Sequence, residues 1–211
     1  MAFDGHYYDW RVRRIAAIVD HYGASFFKGS RVLELGAGFG DIGIFFRCLG
    51  ADVTFGDARQ EHLDEMRDRY PSLPEDRLVL YNAEERWPFD GAYDLILNLG
   101  MIYHCDFWER SIIESSRVGT HFAIETEVAD SDDEKYVLKV EEEGYDQAFS
   151  GVGSRPSPAA MEYVMRNCGM VFQRVSDDRC NSGFHVYDWP PTNSGEATDG
   201  QRAFWFAEKM T

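Results

Sequence analysis

Apolar residues along this chain follow two alternating rhythms. Short runs at 31–35, 52–57, 78–82, 93–99 and 120–127 have the length and composition of strands. Between them, helical spacing appears near 41–49, 60–70 and 106–117, and Leu63, Met66 and Tyr70 give the middle segment one apolar stripe. A first helix is predicted over 9–22, with Val12, Ile15, Ala16, Val19 and Tyr22 on its buried face, Asp9 as N-cap and Gly23 as stop. Strands alternating with helices predict an α/β fold on a parallel sheet with right-handed crossovers.

After residue 127 the rhythm changes. An acidic segment over 128–156 is predicted to hold a helix around 132–143 and then a Gly-Ser-rich loop ending Arg155-Pro156. A helix Ser157–Cys168 follows, with a Ser cap, Pro158 in its first turn and Gly169 to end it. Two further strands lie near 170–176 and 202–208. Neither a repeat nor a second core is visible, so residues 1–211 read as a single domain with an N-terminal helical segment at 1–29.

The densest chemical information lies in Val32-Leu33-Glu34-Leu35-Gly36-Ala37-Gly38-Phe39-Gly40-Asp41. A strand runs into an acid, then a turn with glycine at alternate positions, then a helix. Such glycines suit a backbone on which a ligand lies directly, because a Cβ would hold it away. A dinucleotide fingerprint would need its third glycine at position 41, which is Asp41, and the acids Glu34 and Asp41 would repel a pyrophosphate. An acid beside the glycines suits a cofactor with a positive charge.

Here the chain resembles the class I S-adenosylmethionine (SAM)-dependent methyltransferases, whose first motif has the form E-x-G-x-G-x-G. The likeness continues in order through residues 30 to 125. Asp52-Val53-Thr54-Phe55-Gly56-Asp57 is a second strand ending in an acid. Asn82-Ala83-Glu84 before Trp87-Pro88-Phe89 is similar to the adenine-contacting segment, with Asn82 in place of the usual acid. Asn98-Leu99-Gly100-Met101-Ile102-Tyr103-His104 is similar to the loop over the transferable methyl. The resemblance implies a doubly wound, seven-stranded, mostly parallel Rossmann-like sheet with an antiparallel last strand, and SAM as cofactor. It also implies cofactor contacts from Glu34, Gly36, Ala37, Gly38, Gly40, Asp57, Ala58, Asn82, Ala83, Glu84, Asn98 and Leu99. Asp57 would take the ribose hydroxyls and Asn98 would lie near the amino-acid end. The Leu99–His104 stretch is also similar to the Gly-Val-Leu-Tyr-His of the wobble-uridine carboxymethyltransferases.

Methyl transfer from a sulfonium is an in-line displacement, and an acceptor protonated at neutral pH needs a base. His104 reads either as that base or as a scaffold for its loop. Tyr103 reads either as an acceptor-orienting group or as a packed core residue. Tyr7, Tyr8 and Trp10 suit a lid over the acceptor or ordinary helix packing. Arg155 suits a substrate carboxylate or phosphate, with a surface salt bridge as the plainer alternative. Tyr187, with His185 and Trp189, supplies a wall from the final hairpin. In this reading 128–156 is a substrate lid.

Charge and composition narrow the acceptor. Acids outnumber bases 37 to 21, giving a net charge of −16, and the longest charged runs, Asp130–Glu134 and Glu141–Glu143, are acidic. A nucleic-acid partner is therefore disfavoured. No apolar run is long enough to span a membrane, the N-terminus lacks a signal pattern, and four scattered cysteines fit a reducing cytoplasm. The histidines have no ligand spacing, so no metal is expected. The sequence thus reads as a cytoplasmic methyltransferase acting on O, N or S of a small metabolite that carries a carboxylate or phosphate. Another SAM reaction (cyclisation or aminocarboxypropyl transfer) and RNA or tRNA methylation stand as alternatives. Oligomeric state is not legible.

Overall fold

The computed structural model describes residues 7–144, 147–176, 178–198 and 200–210. Residues 1–6 of the expected N-terminal segment and 145–146 of the expected insertion lie outside the described residues. Seven strands form the main sheet: β1 (Arg31–Leu35), β2 (Asp52–Asp57), β3 (Leu78–Leu80), β4 (Tyr93–Leu99), β5 (Gly119–Glu127), β8 (Met170–Val175) and β9 (Arg202–Lys209). Their order is β3-β2-β1-β4-β5-β9-β8. The first five are parallel, and β9 inserts antiparallel between β5 and β8. The order reverses between β1 and β4, which opens a crevice at the carboxyl ends of the strands.

Alternate residues of each strand feed opposite layers, as a period of two requires. Val32, Leu95, Leu97, Ala123, Phe204 and Phe206 pack under α1 (Tyr7–Tyr22), α2 (Asp41–Cys48) and α3 (Gln60–Arg69). Leu33, Leu35, Ile96, Phe122, Ile124 and Trp205 pack under α4 (Glu109–Val118) and α5 (Pro158–Asn167). In α5, Ser157 is the N-cap and its side chain accepts the Ala160 N–H at 2.9 Å. Parity also decides which polar groups meet which layer. Glu34 and Glu125 project toward the α1 side with the first set, and Asn98 goes with Ile96 toward α4.

Three local expectations differ from the structure. Helix α1 starts at Tyr7, so Asp9 is inside it and not its cap. Its buried face is Trp10, Arg14, Ala17 and Ile18, whereas Val12 and Ala16 are exposed. The helix is rotated because Arg14 is drawn to the sheet by a buried carboxylate, Glu125, 3.0 Å away. An apolar stripe read from sequence has no term for such a pair. The expected helix at 132–143 is instead an antiparallel hairpin, β6 (Val137–Glu141) with β7 (Val152–Pro156). The run Leu138-Lys139-Val140-Glu141 alternates with period two, and Val137 and Val140 are β-branched, which outweighs the acidic flanks.

Helix α2 lies very close to the sheet at Gly43. A Cβ there would sit 2.4 Å from Glu34 Oε2 and 2.5 Å from the Phe55 ring. Gly43 supplies the close helix–strand packing that a dinucleotide site obtains from its third glycine. We expect Gly43→Ala to destabilise the protein by about 1–3 kcal/mol through overpacking, measured by urea unfolding. An unchanged midpoint would show that this contact is slack.

Candidate active site

One cavity of about 400 Å³ opens at the carboxyl ends of β1, β2 and β4, a size ordinary for a small-molecule site. Its first end is the glycine turn. Gly36 and Ala37 donate their N–H groups to Gly56 O at 2.8 and 3.1 Å, which ties the turn to β2. Gly36 has a φ of +66°, and a Cβ on it would lie 2.7 Å from Met101 Cβ. Both facts require glycine. Glu34, Gly36, Ala37, Gly38, Asp57, Ala58, Asn82, Ala83, Glu84 and Leu99 all line this cavity.

Asp57 holds the turn as well as facing the cavity. Its Oδ2 accepts the Gly38 N–H at 2.8 Å and its Oδ1 the Arg59 N–H at 3.0 Å, with His62 Nδ1 2.9 Å away. Asn82 Oδ1 accepts the Glu84 N–H at 3.0 Å, an Asx-type turn that shapes the Asn82–Glu84 segment of the wall. Glu34 Oε2 accepts the Gly43 N–H at 3.0 Å. Burial pushes the Glu34 carboxyl up to about 8, although the Gly43 N–H and Arg14 favour its ionised form. Burial thus shifts the Glu34 carboxyl toward its neutral form.

The rest of the wall is Tyr7, Trp10, Arg11 and Arg14 of α1, Met101, Tyr103 and His104 after β4, and Gln147 and Phe149 from the β6–β7 connection, with Arg11 paired to Asp41 at 2.9 Å and the Arg59 Nη2–H bonded to Gln147 O at 2.8 Å. His104 Nδ1 lies 2.6 Å from Glu142 Oε2. Cys105 is buried, its thiol pushed up to about 12 by burial and by the nearby Glu84 and Glu142. It is a small core residue without thiolate chemistry.

Five expected site residues lie outside the cavity wall, each for a physical reason. Gly40 turns its backbone into the start of α2, where a Cβ would meet Met66 Sδ at 2.9 Å. Asn98 is buried on the α4 face, donating to Ser111 Oγ at 2.7 Å. Tyr8 is 69% exposed, on the solvent side of α1. Tyr187 is buried and accepts the Trp10 Nε1–H at 2.6 Å, fixing a cavity residue from behind. Arg155 is buried and bonded to Glu142 Oε1 at 2.6 Å, Glu127 Oε2 at 2.5 Å and Tyr103 O at 2.8 Å. With its donors so engaged, it is not the substrate grip expected from sequence. His185 stacks on Trp10 at 4.0 Å, and the Trp189 Nε1–H bonds Arg202 O at 2.8 Å.

Other wall residues carried no signal in sequence. Arg11 and Arg14 were hidden by the misplaced helix face. Gln147 and Phe149 arrive through the hairpin that was read as a helix.

A methyltransferase-domain family model matches residues 6–171, more than three quarters of the chain. The chain belongs to the SAM-dependent methyltransferases. Protein N-lysine methyltransferase METTL21A of Danio rerio is 33% identical over 113 residues, covering 45% of this chain and 51% of that protein. EEF1A lysine methyltransferase 3 of Mus musculus is 33% identical over 81 residues, covering 36% of this chain and 35% of that protein. The chain thus spans about half or less of the curated relatives it matches. The crystal structure of the N-terminal domain of EvdMO1 with SAH bound superposes with a TM-score of 0.69 at 17% identity, covering 94% of this chain and 81% of that one. The fold is therefore the Rossmann-like methyltransferase fold. The cradle without Cβ atoms, the second-strand carboxylate and the cavity volume fit its cofactor, SAM. Among the described residues, no helix is long and apolar enough to cross a membrane.

The buried Glu34 gives a pH signature. The unfolded chain loses this proton near 4.5, whereas the folded chain keeps it to about 8. Stability contributed by the bound proton is full below 4.5 and is lost as pH rises through the window, by up to about 1.4 kcal/mol per pH unit. We expect Glu34→Gln to flatten this part of the stability–pH profile in urea unfolding of the cofactor-free protein. A variant with the wild-type slope would show that the proton resides elsewhere.

Proposed function

We propose that this chain transfers the methyl group of SAM to an O, N or S atom of a small metabolite by in-line displacement, with His104 as general base. The observation that supports it is one continuous cavity, with the glycine turn and Asp57 at one end and His104 among aromatic rings at the other. SAM, when bound, supplies the methyl group and a sulfonium leaving group.

The residues present divide the remaining work. The backbone from Gly36 to Gly38 receives the amino-acid tail, Asp57 and Ala58 the ribose, and Asn82, Ala83 and Glu84 the adenine, with Leu99 beneath. Tyr7, Trp10 and Tyr103 form an aromatic wall for the acceptor and exclude water from it. His104 takes the acceptor's proton through the ring nitrogen that Glu142 leaves available. In this proposal residues 1–211 act as one domain in the cytoplasm, with 1–29 and the 128–156 insertion closing the acceptor side. The acceptor's charge is left open, because Arg155 is already bonded within the protein.

A second reading is methylation of a lysine side chain in a basic protein. Two relatives carry lysine methyltransferase names, and a net charge of −16 suits a cationic partner. Incubation with methyl-labelled SAM and a cell extract, followed by fractionation, separates the readings. Label in a small molecule supports the first and label in protein the second. Label in RNA, or a product without a transferred methyl, would sink both.

Two substitutions test the roles. Asp57→Ala should weaken SAM binding by about 1–3 kcal/mol in calorimetry, and unchanged affinity would refute the ribose assignment. His104→Ala should leave SAM affinity intact while turnover falls about 100-fold or more. Wild-type turnover would reduce His104 to a scaffold.

A further inference from the structure

The insertion hairpin places one carboxylate against the candidate base, and it does so with unusual completeness. Glu142, directly after β6, is 5% exposed. Its Oε2 lies 2.6 Å from His104 Nδ1 and also accepts the Ala148 N–H at 2.8 Å. Its Oε1 accepts the Arg155 Nη2–H at 2.6 Å. Arg155, on β7, is held in turn by Glu127 and by the carbonyl of Tyr103, the residue beside His104. The cluster fits only because the residue between its members in β7 is Gly153. A Cβ there would lie 2.5 Å from Tyr103 O, 2.7 Å from Arg155 Nη1 and 2.7 Å from Glu142 Cδ.

We propose that Glu142 and Arg155 are positioning residues that fix His104 as the Nδ1–H tautomer and direct a lone pair on Nε2 into the cavity. An ionised carboxylate only accepts hydrogen bonds, so the imidazole nitrogen facing it must donate. The neutral ring then has its basic site on the opposite edge, at Nε2. Burial works against the charge of Glu142, but the hydrogen bonds of His104 and Arg155 and the adjacent charge of Arg155 outweigh it and hold the carboxyl below its ordinary range. The groups around the ring are Glu142 directly after β6, Arg155 of β7, Tyr103 on the same turn, and Glu127 and Arg202 behind them. The logic is that of a buried acid orienting a histidine in hydrolytic triads, reached here on a different fold.

This inference rests on His104 being the base, and the test separates the two ideas. Long-range ¹H–¹⁵N NMR of ¹⁵N-histidine-labelled protein saturated with S-adenosylhomocysteine reads the tautomer. The pH profile of label transfer from methyl-labelled SAM into a cell extract reads its consequence. Wild-type His104 should carry hydrogen on Nδ1 and a bare Nε2. In Glu142→Ala no carboxylate accepts from Nδ1, and the ring should switch to Nε2–H. Turnover should fall about 10- to 100-fold, and the pH dependence attributable to His104 should change, with S-adenosylhomocysteine affinity preserved. An Nε2–H ring in the wild-type protein overturns the inference outright, whether or not any variant folds. An inverted tautomer with undiminished turnover also overturns it, leaving His104→Ala to decide whether His104 is a base at all.

Discussion

A carboxylate with no exposed surface sits at the centre of this molecule, and the wall around Trp10, Tyr103 and His104 is arranged on it. Glu125 of β5 lies between Arg14 of α1 and Arg202 of β9, each 3.0 Å away. A buried charge is tolerated only with such partners, and removing one member of a buried pair costs about 3–5 kcal/mol. The pairing does not end there. Arg202 reaches Glu127 at 3.7 Å, Glu127 holds Arg155, Arg155 holds Glu142, and Glu142 meets His104. Charges of alternating sign thus join the first helix, two sheet strands, the insertion hairpin and the loop after β4. The chain's geometry fixes where Trp10, Tyr103 and His104 stand, because each is packed on or bonded to one of its members. Arg14 and Arg202 lie 3.6 and 4.6 Å from the Trp10 ring centre, and Arg202 and Arg155 lie 4.6 and 4.9 Å from that of Tyr103.

The division between what was legible in the sequence and what was not follows this chain closely. Strands β1, β2, β4 and β5 and helices α2 to α4 could be read within a few residues, because their periodicity records local burial on a sheet. The glycine turn and Asp57 could be read because a backbone cradle restricts residue type at fixed spacing. The acceptor side could not be read the same way. Arg14 pairs with a residue 111 positions away and His104 with one 38 positions away, and no local pattern encodes either partner. The same blindness turned α1 by part of a turn and made Arg155 look like a substrate grip. A lone arginine in a Gly-Ser loop carries no mark of the two carboxylates that enclose it. Strand parity, by contrast, was available in the sequence and would have sent Asn98 to the α4 face.

The two ends of the cavity also differ in how they handle charge. At the cofactor end, acids predominate: Glu34, Asp41 and Asp57 line the wall. Asp57 is satisfied by backbone N–H groups, and burial raises the Glu34 carboxyl toward its neutral form. Acids nevertheless remain close to where a cationic ligand would lie.

Around Tyr103 and His104 the charges are balanced instead of acidic. Arg14, Arg202 and Arg155 offset Glu125, Glu127 and Glu142 one for one, so His104 is the last group of a neutral series. A proton gained by its imidazole would add a single positive charge directly against Glu142, a carboxylate already ionised and held in place. Little has to reorganise at that moment, which is the condition under which preorganised charges lower a barrier. An isolated histidine on a solvent-facing loop would need water to rearrange around the new cation. The bonded series from α1 to the hairpin therefore supplies rigidity and charge compensation together, and the hairpin insertion is the element that connects the last carboxylate to the imidazole.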